Sequence, residues 1–288
     1  MNSKEFLKEA HEYIDEKYAC LTNSRKVIME MFKTFHFICQ QNEINYFVAY
    51  GSLLAQVRDD GFIPWDSDFD VCVPIKDVKK LCEVLKKSLP KSMYIESNFN
   101  NSHYPYFQMR IGYEGYDINW LHLDIFYLIG APGDETNELQ KFQNRVIRLF
   151  IMRMNKAYYR ELKKKNKKSK SDLLLQFVYG LRTILCSEKK LDKDFSKVTT
   201  LFNYDTAENV TVVCHVKSTF KKSIIEPVKL KNYHGIDMFV PNNEVSFLNH
   251  CYKNYKEYLP IQKRFDEFYQ WVKLSDNVVV SEIDYRKL

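Results

Sequence analysis

Asp68 and Asp70 alternate with apolar residues in the stretch Trp65-Asp66-Ser67-Asp68-Phe69-Asp70-Val71-Cys72-Val73. In an extended strand alternate side chains share a face, so both carboxylates point one way while Phe69, Val71 and Val73 point the other. Two like charges on an otherwise apolar strand are unfavourable unless a cation neutralises them. The pattern therefore suits a divalent metal, and Mg²⁺ with a phosphate-bearing ligand is the commonest use of a few carboxylates without a full protein cage. Alone the pair is a weak signal, because acidic residues in exposed turns are common. Its neighbours strengthen it. Tyr46-Phe47-Val48-Ala49-Tyr50 reads as a short buried strand that ends at Gly51-Ser52, with Leu53 to Arg58 able to start a helix. A strand, a Gly-Ser turn and a helix N-terminus offer backbone N–H groups and a hydroxyl to an anion, and Gly51 admits close backbone approach. An ordinary tight turn explains that segment equally well by itself; the joint occurrence with Asp-x-Asp is the stronger signal.

The elements that would hold these residues follow from periodicity. Asn23 and Ser24 can cap a helix whose Ile28, Met31, Phe32, Phe35 and Ile38 form an apolar stripe. After the acidic strand, Lys76 to Leu89 reads as a helix with Val78, Leu81, Val84 and Leu85 inward, stopped by Pro90. Tyr94 to Glu96, Tyr106 to Tyr113 and Asn119 to Ile129 read as strands, the last two joined in a hairpin near Gly115. From Glu138 the character turns helical, with helices over 138–165 and 171–186 about a lysine-rich turn, Lys163 to Lys170. Short strands (Val210 to Val216, Met238 to Val240) and helices near Asn242 to Asn254 and Arg264 to Leu274 complete the chain. The order predicts an α+β fold, a mixed sheet with helices packed against it. The expected division is a core over 1–133 and a helical and mixed part over 134–288 packed on it, or one continuous domain.

Composition narrows the class. The 288 residues include 20 Tyr and 20 Phe, enough for a real core and against disorder. Seven scattered cysteines (Cys20, Cys39, Cys72, Cys82, Cys186, Cys214, Cys251) form no Cys-x-x-Cys pair and read as reduced thiols, against a structural zinc site. Neither a secretory leader nor an apolar run of about 20 residues is visible, so the expectation is a cytoplasmic protein. The net charge of +6 is concentrated between Arg145 and Lys170. A solvated helical face is the simplest account of that segment. Attraction to anionic lipid, peripheral at the inner membrane face, comes second. Nucleic-acid binding comes third, for want of a recognised module.

The block Tyr50-Gly51-Ser52-Leu53-Leu54-Ala55-Gln56-Val57-Arg58 through Gly61-Phe62-Ile63-Pro64-Trp65-Asp66-Ser67-Asp68-Phe69-Asp70 resembles the signature of the LicD family, shared with fukutin-type glycan phosphotransferases. Leu121-His122-Leu123-Asp124-Ile125-Phe126 is similar to the family's third carboxylate strand. Gly235-Ile236-Asp237-Met238-Phe239-Val240-Pro241 and Tyr252-Lys253-Asn254-Tyr255-Lys256-Glu257-Tyr258 resemble its C-terminal elements. Two departures stand out: Ser67 interrupts the usual run of acidic residues, and Ala55-Gln56 replaces the usual Gly-Ala. They put donor identity in doubt and leave the three carboxylates untouched.

The resemblance implies a nucleotidyltransferase-like core of the polymerase β palm type, with the Asp124 strand beside the Asp68/Asp70 strand. It implies Mg²⁺, or Mn²⁺, held by Asp68, Asp70 and Asp124. The implied reaction moves phosphocholine or a related phospho-alcohol from CDP-choline or a CDP-alditol to a hydroxyl of a cell-surface glycan or teichoic-acid precursor, lipid-linked in some cases, and releases CMP. Gly51, Ser52, Arg58 and Arg110 are the expected phosphate contacts. Asp124 has the alternative role of general base. The competing expectations are a nucleotidyltransferase that releases pyrophosphate and a catalytically silent nucleotide-binding protein. Asp66 is expected in a secondary role or as a turn former. Trp65 and Tyr50 can stack on a base or a quaternary ammonium, though core packing is the simpler account of both. His122 shares a face with Asp124 and is expected as a hydrogen-bonded, partly buried imidazole; His215 is a weaker case.

Overall fold

The computed structural model describes residues 25–59, 61–63, 68–119, 121–133, 137–184, 186–214, 219–233, 235–252 and 254–258. The expectations for the Asn23/Ser24 cap, Trp65, Asp66, His215 and a helix at 264–274 fall outside them.

The first helix, α1, covers residues 25–41, and its apolar stripe is buried as the spacing predicts, from Ile28 to Ile38. It leads to β1 (Phe47–Val48), then α2 (Tyr50–Leu54) and a π-helical turn, Ala55–Asp59. The expected strand Tyr46 to Tyr50 is cut short because Tyr50 already opens the helix, at a φ of 46°. Next come β2 (Phe69–Pro74), α3 (Ile75–Ser88), β3 (Met93–Ser97), β4 (Gln108–Tyr113) and β5 (His122–Ala131). Cys82, rather than Val84, completes the buried face of α3 with Val78, Leu81 and Leu85. Gly115, at a φ of 86°, makes the turn between β4 and β5 that an L side chain would strain.

The sheet is mixed. Its strand order is β1-β2-β5-β4-β3, with β2 parallel to β5 and β1, β4 and β3 antiparallel to their neighbours. One edge of β5 takes β2. The other is shared: β4 pairs along its first half, and β6 (Asn209–Val212), followed by β7 (Thr219–Lys221), pairs along Leu128–Ala131. All ten residues of β5 are buried, as a central strand covered on both faces requires.

Between β5 and β6 lie α4 (Asn137–Lys164), α5 (Lys170–Thr183) and α6 (Glu188–Thr199). The last was not expected from sequence, although Leu191, Phe195 and Val198, all buried, have helical spacing behind a Ser187 cap. Phe195 stacks on Phe107 of the loop before β4, ring centres 3.9 Å apart. Part of the basic segment is internal rather than solvated. Arg153 is 2% exposed, donates to the carbonyls of Tyr104 and Ser102, and pairs with Asp192. Lys156 and Arg160 face Glu188. The chain ends its described part with α7 (Lys222–Ile225), a hairpin of β8 (Lys229–Tyr233) and β9 (Ile236–Val240), and α8 (Glu244–Cys251). No helix of the described residues is long and apolar enough to cross a membrane.

Candidate active site

The parallel pairing of β2 and β5 sets Asp70 directly opposite Asp124. Register partners project their side chains to the same side of a sheet, so the two carboxylates are neighbours. The line continues across β4 and β3 as Arg110 opposite Asp124 and Glu96 opposite Arg110. Asp68 immediately precedes β2, two residues before Asp70, and is half-buried.

Gly51 and Ser52 fall within α2 rather than in a turn ahead of it, and this segment is bonded to the main chain of the strand. Ser52 Oγ accepts the Asp70 N–H at 2.7 Å, and the Ala49 N–H donates to the Asp70 carbonyl at 3.0 Å. Ser52 is 4% exposed and Asp70 8%. The sequence suggested an anion contact for Ser52; the structure adds that its oxygen satisfies a buried main-chain donor at the carboxylate strand. Its hydroxyl proton then remains to be donated elsewhere.

Asp124 is held by three donors. Gln108 Nε2 and Arg110 Nε both reach Oδ1 at 2.8 Å, and His122 Nε2 lies 3.2 Å from Oδ2. Burial pushes its carboxyl up, but the charge and hydrogen bond of His122, then those of Arg110, outweigh this and bring it down to about 2. His122 is thus the hydrogen-bonded, buried imidazole that its position suggested. Gln108 was not anticipated. It bridges Asp124 to Cys214, whose Sγ lies 2.9 Å from Oε1. Strand alternation with Arg110 was the available signal, since it puts residues 108 and 110 on one face.

The two arginines differ in what they leave available. Arg110 uses Nε on Asp124 and lies over the Tyr106 ring at 5.3 Å, while its Nη groups make no hydrogen bond among the described residues. Arg58 is fully engaged. Nε and Nη2 donate to Asp59, Nη1 to the carbonyls of Tyr255 and Glu257, and the guanidinium lies 4.5 Å from the Tyr258 ring centre. Its observed work is to tie the π-turn to the Tyr-x-x-Tyr segment.

A hard cation needs oxygen ligands, and Asp68 and Asp70 are the carboxylates that could supply them. Mg²⁺ commonly takes one or two carboxylates and fills its shell with water and substrate phosphate. An ionised carboxylate offers about four lone-pair sites, so Asp124 keeps one on Oδ2 beyond its three donors. Among the described residues no three His, Cys, Asp or Glu side chains form a ready cation cluster, so a metal here fits the two-carboxylate pattern rather than a closed cage. Two buried polar atoms near the Asp124–Arg110 pair lack a hydrogen-bond partner among the described residues, His122 Nδ1 and the Tyr104 hydroxyl. Cavities of about 1180 and 630 Å³ lie at the opposite end of β2, around Pro74 and Lys76, away from the carboxylates.

Residues 43–164 match the family described as LicD/FKTN/FKRP, nucleotidyltransferase domain. A stretch of 68 residues is 31% identical to the lipopolysaccharide cholinephosphotransferase LicD of Haemophilus influenzae. That match covers 24% of this chain and 26% of the relative, so the chain spans about a quarter of the curated protein it resembles.

Proposed function

We propose, from the match of residues 43–164 to the LicD/FKTN/FKRP family model, that the chain is a divalent-metal-dependent phosphotransferase. It passes phosphocholine or an alditol phosphate from a CDP-linked donor to a hydroxyl of a surface-glycan precursor and releases CMP. We read the sheet as a nucleotidyltransferase palm. The observation that carries the reading is the register of Asp70 with Asp124 on adjacent parallel strands, next to a Gly51-Ser52 segment bonded to Asp70.

In this reading Asp68 and Asp70 hold the cation. When bound, Mg²⁺ would offset the charge that builds on the departing phosphate. Ser52 donates its remaining proton to a diphosphate oxygen. Arg110, aimed by Asp124, offers its Nη groups to the same diphosphate, and Tyr106 limits its swing. Gln108, Arg110 and His122 all hydrogen-bond the Asp124 carboxylate, and in this reading Asp124 orients Arg110. The acceptor hydroxyl oxygen forms its bond to the phosphorus bearing the alcohol, the bond from that phosphorus to the bridging oxygen breaks so that the oxygen leaves on CMP, and the hydroxyl proton passes to the departing phosphate or to water.

The test supplies purified chain with CDP-choline and CDP-ribitol, a glycan acceptor and Mg²⁺, and identifies the nucleotide product. CMP that disappears with EDTA is expected. Asp70→Asn is expected to lower turnover at least about a hundredfold with an unchanged thermal midpoint. Pyrophosphate as the product, or a fully active Asp70→Asn enzyme, overturns the proposal.

A further inference from the structure

Helix α5 is packed inside out. Its inward side is small and polar. Thr183 is its one buried residue, Gly180 is close enough to α4 that an added Cβ would lie 3.1 Å from the Tyr159 ring, and Tyr179 stacks on Tyr158. Asp172 pairs with Lys165, and Gln176 accepts from Lys168. Leu173, Leu174, Phe177, Leu181 and Ile184 recur at the spacing of one helical face. They are 55%, 64%, 64%, 59% and 76% exposed. An amphipathic helix in a soluble protein normally turns this face to the core, so its exposure implies an apolar neighbour.

The charges beside the face select that neighbour. The turn into α5, Lys163 to Lys170, carries six lysines, and Lys163, Lys167 and Lys170 form no ion pair among the described residues. A second copy of the chain docked about a two-fold axis would set these lysines against the same collar if the helices ran parallel, or against Arg182 if antiparallel, and α5 offers no carboxylate besides Asp172, which already pairs with Lys165. An anionic lipid surface matches both features, since headgroups meet the lysines and the interfacial acyl region takes the leucines and phenylalanine. With 14 residues the helix is too short to span a bilayer, so it would lie in the plane of the surface. We infer that α5, with the lysine turn before it, is an interfacial helix that docks this protein onto anionic membranes. The inference is independent of the reaction proposed above.

The test is flotation of the full chain with vesicles of phosphatidylglycerol and phosphatidylcholine, and with vesicles of phosphatidylcholine alone. Binding to the mixed vesicles, weaker on the neutral ones and at high salt, is expected. Phe177→Glu with Leu181→Glu should cut partitioning at least about tenfold with an unchanged thermal midpoint. As a second readout, Phe177→Trp should show blue-shifted emission on the mixed vesicles. Failure of the wild-type chain to float, undiminished partitioning of the double variant, or an unshifted tryptophan overturns the inference. So does a dimer in solution that the double variant splits into monomers, since the face would then cover a second copy.

Discussion

Asp124 is charged in a place where burial opposes charge, so its ionised form depends on its partners. His122 and Arg110 bring its carboxyl down to about 2, below the unfolded value of about 3.9. A folded value below the unfolded one means that ionised Asp124 stabilises the native state. That contribution is complete above about pH 4 and is lost as pH falls toward 2. Thermal midpoints measured from pH 5 down to pH 2 should therefore fall more steeply for the wild type than for Asp124→Asn, and parallel curves would refute this assignment. One of these residue-scale features was legible: the resemblance pairs the Asp70 strand with the Asp124 strand, as the register shows, whereas Asp68 stands just before β2. The rest needs tertiary contact. Arg58 lies within the signature block, but its donors go to Asp59 and to carbonyls almost two hundred positions away, at Tyr255 and Glu257. Arg110, a strand residue with no distinguishing neighbour, is the one with Nη donors to offer.

At the scale of elements, Gly-Ser and Asp-x-Asp are one mechanical unit. Their separation in sequence hides it, because nothing in the composition says which main-chain N–H the Ser52 hydroxyl meets. Ser52 Oγ takes the Asp70 N–H at 2.7 Å and the Asp70 carbonyl takes the Ala49 N–H, so this segment and the strand fix one another on both sides of the carboxylate. Ser52→Ala leaves a buried N–H unsatisfied, which costs about 1–3 kcal/mol. Urea unfolding should register that loss, and Ser52→Thr, which keeps the hydroxyl, should recover most of it. A loss below about 0.5 kcal/mol, within ordinary surface-substitution scatter, would mean that the bond is not structurally significant. Helical stripes in α1 and α3 were readable because each has a core-facing periodicity. Strand β8 was not, since Lys229 to Asn232 are all exposed and carry no alternation. The orientation of α5 was equally hidden, because periodicity defines an apolar face without saying what covers it.

For the whole molecule, the question is whether residue 133 divides two folding units. The sheet argues against it. Strand β6 completes the edge of β5 from Leu128 to Ala131, and Gly130 is so close to the loop after α6 that an added Cβ would collide with the Phe202 carbonyl. The α4–α6 layer reaches the other way into the first half. Phe195 stacks on Phe107, and buried Arg153 donates to the carbonyls of Ser102 and Tyr104 with Phe107 beneath it at 4.7 Å. A fragment of residues 1–133 would expose those aromatics, free one edge of its central strand and leave two loop carbonyls without their donor. Chains cut in this way lose their cooperative transition. The full chain should therefore melt in one step with coincident far-UV and near-UV signals. The fragment should lack near-UV ellipticity and gain hydrophobic-dye binding, as partly folded chains do. Two resolved transitions in the full chain, or a fragment with sharp native dispersion, would show that the helical layer is an accessory to a core already stable alone.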